Sequence, residues 1–184
     1  MSTTKRTAIV FTVSVCAALG LFTGTAAAKT VPDGKYVKSV CAGIHKAKNA
    51  FGKTVDGYNA LESTDPAAFQ TQAAALVDGL IATIKKSEAK LKKLSPEDGG
   101  KKVTKVFGAY LKAFITKLSD AVTTFRAADP NGAAFQGDVT QLQAAFNIVE
   151  VGVEDPFGKV KDQGLLQAFH DEKSCSDIVT VFGG

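Results

Sequence analysis

Four prolines divide most of this chain into segments of similar length, and each follows a residue that favours the start of a helix. The pairs are Asp65-Pro66, Ser95-Pro96, Asp129-Pro130 and Asp155-Pro156. Aspartate and serine side chains accept hydrogen bonds from the free N–H groups of a first helical turn, and proline, which lacks an N–H, fits the first helical position. Proline also disfavours helical geometry in the residue before it. Each pair therefore predicts the start of one helix and the end of the preceding one.

The segments between these prolines repeat apolar residues every three or four positions, which is the spacing of one helix face. The pattern runs over residues 37–61, 69–94, 103–125 and 135–149, with a shorter stretch over 157–169. Alternation typical of a strand occurs only in the tail after Cys175. Because the connections are short, successive helices should lie side by side in opposite directions. The sequence predicts an all-α fold, an antiparallel bundle of four long helices plus a short fifth helix.

The first 28 residues have the three parts of a secretory signal peptide. Lys5 and Arg6 give the positive start, residues 8–22 are mostly apolar, and an alanine triplet ends at Ala28. Signal peptidase accepts small residues at these positions. We therefore expect cleavage after Ala28 and a secreted, extracytoplasmic protein that begins at Lys29.

Two other roles for this segment fit less well. A transmembrane anchor would need a longer apolar run without threonine and glycine. A lipid attached to Cys16 would need a small residue directly before the cysteine, and Val15 is larger. No later segment is apolar enough to span a bilayer, so the sequence predicts a single helical-bundle domain over residues 29–184 without a transmembrane segment.

Two cysteines follow the leader, one near each end of the domain, at Cys41 and Cys175. In an oxidising compartment such a pair most simply forms a disulfide, which would staple the bundle. The chain has only two histidines, His45 and His170, and each lies close to one of these cysteines in sequence. Two thiolates and two imidazoles could instead hold a tetrahedral zinc ion, so a zinc-stabilised domain is a minor alternative.

The middle of the chain is basic, and its carboxyl-terminal part is acidic. Eight lysines flank the turn between the second and third predicted helices: Lys85, Lys86, Lys90, Lys92, Lys93, Lys101, Lys102 and Lys105. One interpretation is a solvated face, because lysines at the end of a helix complement its dipole. The other is a patch that binds an anionic membrane or cell-surface polymer. The patch contains no arginine, which argues against sequence-specific recognition of nucleic acid.

The sequence carries no motif of serine hydrolases, zinc proteases or nucleotide-binding proteins. Di-iron bundles need a glutamate three residues before a histidine, and neither histidine has one. We therefore expect a non-enzymatic binding or surface-interaction module without a cofactor. Ten phenylalanines follow the leader, and most of them should form the core. A cavity among them would give the alternative function, a carrier of a lipid or another small hydrophobic ligand.

The short sequences around Cys41 and Cys175 resemble those of a known group of proteins. Tyr36-Val-Lys-Ser-Val-Cys41 lies soon after the leader, and Lys173-Ser-Cys175-Ser-Asp-Ile178 lies close to the carboxyl terminus. With a helical body between them, this layout resembles small secreted or lipid-anchored actinobacterial proteins of unknown function. The resemblance implies a bridge between Cys41 and Cys175 and an extracytoplasmic helical domain, and it brings no catalytic residues. The residue before Cys16, Val15, is larger than the small residue expected of the lipid-anchored members, so we expect a protein that is released and not anchored.

Overall fold

The computed structural model describes residues 28–62, 64–151 and 156–175 of the chain. Five helices dominate these residues: α1 (Asp33–Asn59), α2 (Pro66–Leu91), α3 (Gly100–Ala127), α4 (Phe135–Val151) and α5 (Gln163–Asp171). Two single-turn 3-10 helices cover Phe157–Lys159 and Lys173–Cys175. The prediction of a mainly helical chain is confirmed. The predicted leader up to residue 27 and the strand-like tail after Cys175 lie outside the described residues.

A short pair of strands accompanies the helices, and the sequence pattern did not predict it. Strand β1 (Lys29–Val31) pairs in parallel with β2 (Leu94–Pro96), and Thr30 lies opposite Ser95. Strand β1 directly precedes α1, and β2 lies between α2 and α3. The strand pair therefore ties the beginning of the domain to the connection between its second and third helices.

The first proline pair behaves as predicted. Asp65 is the N-cap of α2, Pro66 is its first residue, and the Asp65 carboxylate accepts hydrogen bonds from the N–H groups of Ala67 and Ala68, both at 3.0 Å. This satisfies two of the backbone donors that a first helical turn leaves free. The local sequence alone is sufficient to fix this helix start.

The prediction of a helix start at Ser95-Pro96 is wrong, because these residues belong to β2. The extended backbone that a residue before proline favours is compatible with a strand as well as with an N-cap, and pairing with β1 selects the strand. Helix α3 begins later, at Gly100, after an N-cap at Gly99 with a left-handed φ of 66°. The partner strand lies 65 residues earlier in the chain, so no local pattern contains this information.

The third and fourth proline pairs also differ from prediction. The Asp129 carboxylate accepts the N–H of Asn131, so Asp129-Pro130 forms a turn and α4 begins five residues later. Pro156 precedes only the 3-10 turn Phe157–Lys159, whereas Asp155 lies outside the described residues. The fifth helix starts instead after Asp162, whose carboxylate accepts the Leu165 N–H at 2.9 Å. Aspartate side chains stabilise turns and helix starts with the same local hydrogen bonds, which explains the errors.

The apolar helix faces meet in one core. Helix α2 contacts both α1 and α3, α3 also contacts α4, and α5 packs on α1. Two groups of rings fill much of this core: Phe107, Phe157 and Phe169 in one, and Phe69, Phe125 and Phe135 in the other. All six phenylalanines are buried, which agrees with the interpretation of these residues as core.

The expectation that no segment after the leader is apolar enough to span a bilayer is not met by length and composition alone. Among the helices in the described ranges, α2 passes that test, with an 18-residue window of mean hydropathy 1.2. Core helices pass the same test, and α2 lies against α1 on one side and α3 on the other. Its apolar residues, from Phe69 to Leu91, contribute to the shared core.

The predicted disulfide between Cys41 and Cys175 is confirmed. Cys41 lies in α1, Cys175 ends the last 3-10 turn, and their Cα atoms are 5.3 Å apart. Both residues are fully buried. One turn along α1, the His45 imidazole forms a hydrogen bond with the Ser174 carbonyl. The bridge and this hydrogen bond together hold the end of the described chain against α1.

Candidate functional site

All eight lysines of the predicted patch are exposed. Three of them, Lys92 at the end of α2 and Lys101 and Lys105 in the first turns of α3, line one surface groove of about 280 Å³. The groove has Gly108 and Ala109 in its lining. The other five predicted lysines lie on the same helix ends outside the groove lining: Lys85, Lys86, Lys90, Lys93 and Lys102.

The structure adds two lysines that the sequence interpretation missed. Lys112 lines the same groove, and its spacing from Lys101 and Lys105 places all three on one face of α3, a signal that was present in the sequence. Lys29 is exposed and reaches this end through the strand pair, where its N–H donates to the Lys93 carbonyl at 2.8 Å. The position of Lys29 depends on the pairing of β1 with β2, so the neighbouring sequence could not predict it. We call these ten lysines the lysine-rich end.

The backbone of the lysine-rich end is held by side-chain hydrogen bonds. The Thr104 hydroxyl donates to the Leu94 carbonyl at 2.9 Å and so fastens α3 to β2. The Asp33 carboxylate, at the start of α1, accepts the N–H groups of Glu97 and Asp98 at 2.9 and 3.2 Å. The connection that carries the lysines is therefore tied to both α3 and α1.

Carboxylates oppose part of this positive charge. Glu88 forms an ion pair with Lys92 at 2.6 Å. The pKa of the Asp98 carboxyl is raised. The largest cause is a hydrogen bond with Asp33, and the negative charges of Asp33 and then Asp162 contribute less. The hydrogen bond and the neighbouring negative charges both favour the protonated form of the Asp98 carboxyl. The lysine-rich end thus borders a small acidic cluster, which reduces its positive potential.

The four residues of the alternative zinc site do not form a set of free ligands. The sulfurs of Cys41 and Cys175 are bonded to each other, the His45 imidazole is engaged by Ser174, and His170 is exposed on α5. In the part of the chain that the structure describes, no group of three or more His, Cys, Asp or Glu side chains is arranged to hold a metal ion. A zinc ion here would require the disulfide to be reduced.

A second depression lies between α1 and α4, and the sequence did not locate it. It has a volume of about 970 Å³ and we call it the α1–α4 cleft. It is lined by Lys48, Asn49, Phe51, Gly52, Lys53, Val55, Asp56, Tyr58, Asn59, Gln143 and Phe146. The two helices meet through ring contacts of Phe146 with Phe51 and Tyr58, at centroid distances of 5.8 and 5.6 Å.

Tyr58 is the buried polar residue of this cleft. Its side chain is 5% exposed, and its hydroxyl makes no hydrogen bond of good geometry within the described residues. Burial raises the pKa of Tyr58, and a hydrogen-bonding interaction with the Gln143 side chain of α4 lowers it. The hydroxyl is therefore a buried polar group whose only partner among the described residues, Gln143, holds it weakly.

Comparison with protein-family models, with curated proteins and with solved structures gave no match for this chain. Functional inference therefore depends on the geometry and charge of these surfaces.

Proposed function

We propose that this protein is a secreted, non-enzymatic binding module that attaches to anionic cell surfaces through its lysine-rich end. The observation that supports this function is that Lys92 of α2 and Lys101, Lys105 and Lys112 of α3 share one exposed groove. Ammonium groups on a common surface act together on a negatively charged partner, whereas scattered lysines do not.

Helix direction matters for this proposal, and we infer an antiparallel arrangement of the four long helices. The end of α1 contacts the start of α2 through Tyr58 and Phe69, whose ring centroids are 5.6 Å apart. Near the start of α2, the Gln70 amide donates to the carbonyls of Phe125, in the last turn of α3, and Ala128, directly after it. In such a bundle the end of α2 and the start of α3 lie at the same end of the bundle. The lysines on these two helix ends would therefore lie close together.

Export is the second part of the proposal. The first 28 residues have the pattern of a cleavable leader, and the disulfide is compatible with an oxidising, extracytoplasmic location. Cleavage after Ala28 would leave Lys29, the first residue of β1, as the new amino terminus. We refer to this form, residues 29–184, as the processed protein.

The strength of binding follows from the number of lysines that reach the surface together. Each lysine near an anionic membrane contributes about 1 kcal/mol, and the attraction fades within a Debye length of about 8 Å at physiological salt. Glu88, Asp33, Asp98 and Asp162 lie at the same end and offset part of this attraction. Binding should therefore be moderate and should weaken as salt is added.

Sedimentation with lipid vesicles tests this function. The processed protein is mixed with neutral vesicles or with vesicles that contain an anionic lipid, at low and at physiological salt. The test variant carries Lys101→Glu and Lys105→Glu in the groove. The control carries Lys46→Glu and Lys173→Glu, two exposed lysines outside both the groove and the α1–α4 cleft, and has the same net charge.

We expect the wild type and the control to bind anionic vesicles, more strongly at low salt. The groove variant should bind at least tenfold more weakly, because two attractive contributions of about 1 kcal/mol are lost and two repulsive ones appear. Circular dichroism of both variants verifies that they remain folded. Equal weakening of both variants would contradict a localised site, and equal recovery of the wild type in the supernatant in all four conditions would contradict surface binding.

A further inference from the structure

We propose that the α1–α4 cleft binds a small amphipathic anion, a molecule with an apolar chain and one acidic head group. This site is separate from the lysine-rich end, since the two share no lining residue. The inference is supported by the size of the cleft, by its apolar side chains, by the charge of its rim and by a weakly bonded buried hydroxyl in its lining.

The size of the cleft suits a small molecule. Its volume of about 970 Å³ lies at the upper end of the range typical of small-molecule sites, about 300–1,000 Å³. The described lining residues come from three turns of α1 and one turn of α4. Helix α4 packs mainly on α3, so the cleft lies where α1 and α4 meet through only a few side chains.

Apolar side chains supply the surface for the chain of such a ligand. Phe51 and Val55 of α1 are half-buried, and Phe146 of α4 is 7% exposed. Half-buried aromatic and aliphatic groups still present area to solvent, and covering that area is favourable by about 25 cal/mol per Å². An acyl chain would therefore gain free energy mainly from contact with Phe51 and Val55.

Charged side chains at the rim favour an acidic head group. Lys48 and Lys53 line the cleft, and neither forms an ion pair with another residue in the described ranges. Asp56 is the one carboxylate among the described lining residues. The rim therefore carries an excess of positive charge, which attracts an anion and repels a cation.

The Tyr58 hydroxyl offers a polar contact within the cleft. It is buried in the cleft lining, and its interaction with the exposed Gln143 side chain on the facing helix lacks good hydrogen-bond geometry. A ligand oxygen atom could replace Gln143 as its partner at a better geometry. Rotation of Gln143 is the movement that would open the hydroxyl to a ligand.

The absence of tryptophan from the chain makes the cleft easy to observe. Phe51→Trp places a single tryptophan in the cleft, and Phe114→Trp places one at a half-buried position of α3 outside the cleft lining, as the matched control. The probes are dodecanoate and dodecyltrimethylammonium, which share a chain length and differ in the sign of the head group. Both are titrated below their micelle concentrations into the processed protein, and wild-type protein is titrated with dodecanoate in a calorimeter.

We expect dodecanoate to change the emission of the Phe51→Trp protein saturably, with one ligand per chain, and to bind at least tenfold more tightly than the cation. The Phe114→Trp emission should not change. Lys48→Gln together with Lys53→Gln should weaken dodecanoate binding at least tenfold, and Asp56→Asn should strengthen it severalfold, because these changes alter the rim charge in opposite directions. The Lys101→Glu and Lys105→Glu variant should bind dodecanoate as the wild type does, which separates this site from the proposed surface function.

Several results would overturn the proposal. Absence of binding in both the Phe51→Trp titration and the wild-type calorimetry would exclude the ligand class. Equal affinity for the two probes would show that Lys48 and Lys53 do not select the negatively charged head group. Equal responses from the two tryptophan positions would show that the probes bind elsewhere.

Discussion

Removal of the disulfide provides a quantitative test of how this fold is stabilised. The perturbation is the double substitution of Cys41 and Cys175 by alanine. The bridge joins residues separated by 134 positions, so it closes most of the domain into one loop. In the chain-entropy model, a loop of this length stabilises the folded state by about 5 kcal/mol, because the cross-link restricts the unfolded chain.

Local packing adds to this contribution. Both sulfurs are fully buried, so alanine leaves a small cavity at the contact between α1 and the turn Lys173–Cys175. Without the bridge, no covalent bond holds Ser174 next to α1, so the hydrogen bond between His45 and the Ser174 carbonyl should weaken. We therefore expect a loss of about 5 kcal/mol in the free energy of unfolding, which is a large part of the 5–15 kcal/mol typical of native domains.

Urea unfolding followed by circular dichroism at 222 nm measures this loss, for the wild type, the alanine variant and the wild type with a reducing agent. The reduced wild type should resemble the alanine variant, and the reducing agent should not change the variant. For a domain of this size, the melting temperature should fall by about 10–20 °C. A loss below about 1 kcal/mol would refute the reasoning, because it would mean that the unfolded chain gains little freedom when the bridge is absent.

Three further predictions concern single residues. Asp65→Ala should cost about 1 kcal/mol, because the cap of α2 is lost, whereas Asp65→Asn should cost little; urea unfolding distinguishes them. Burial raises the pKa of Tyr36 to about 12, so the folded state holds a proton that the unfolded state releases near pH 10. Stability should be unaffected by this group well below pH 10 and should fall by roughly 2–3 kcal/mol as the pH rises from 10 to 12, a fall that is absent in Tyr36→Phe. Gly99→Ala should destabilise by about 1–2 kcal/mol, since φ is 66° and the new Cβ would lie 2.6 Å from a methyl group of Val103; an unchanged urea midpoint would contradict this.

The helices were predictable because their determinants are local. Apolar spacing identified each long helix, and the cap at Asp65 is formed within four residues of sequence. The cysteine pair was predictable because only two cysteines follow the predicted leader, and the oxidising compartment that such a leader implies favours a disulfide. Ser95-Pro96 was mispredicted because its partner, β1, lies far away in the chain, and pairing with that strand overrides the capping preference.

The candidate sites were predictable to different degrees. The lysine cluster could be read from the sequence because its members lie on two consecutive helices, and Lys112 follows from helix spacing. Lys29 depends on strand pairing, and the α1–α4 cleft depends on how closely two helices distant in sequence approach each other. Interhelix distance is set by side chains across the whole core, so no local pattern specifies it.

The bridge between Cys41 and Cys175 also determines how this protein would respond to mechanical tension. A force applied at Lys29 and at Cys175 passes through β1 and the first turns of α1 and reaches the sulfur–sulfur bond. The 134-position loop between the cysteines, roughly 450 Å of chain if extended, cannot be stretched out while this bond is intact. A molecule pulled in this way could release only β1 and the first turns of α1, and extension of the remaining helices would require the covalent bond to be reduced.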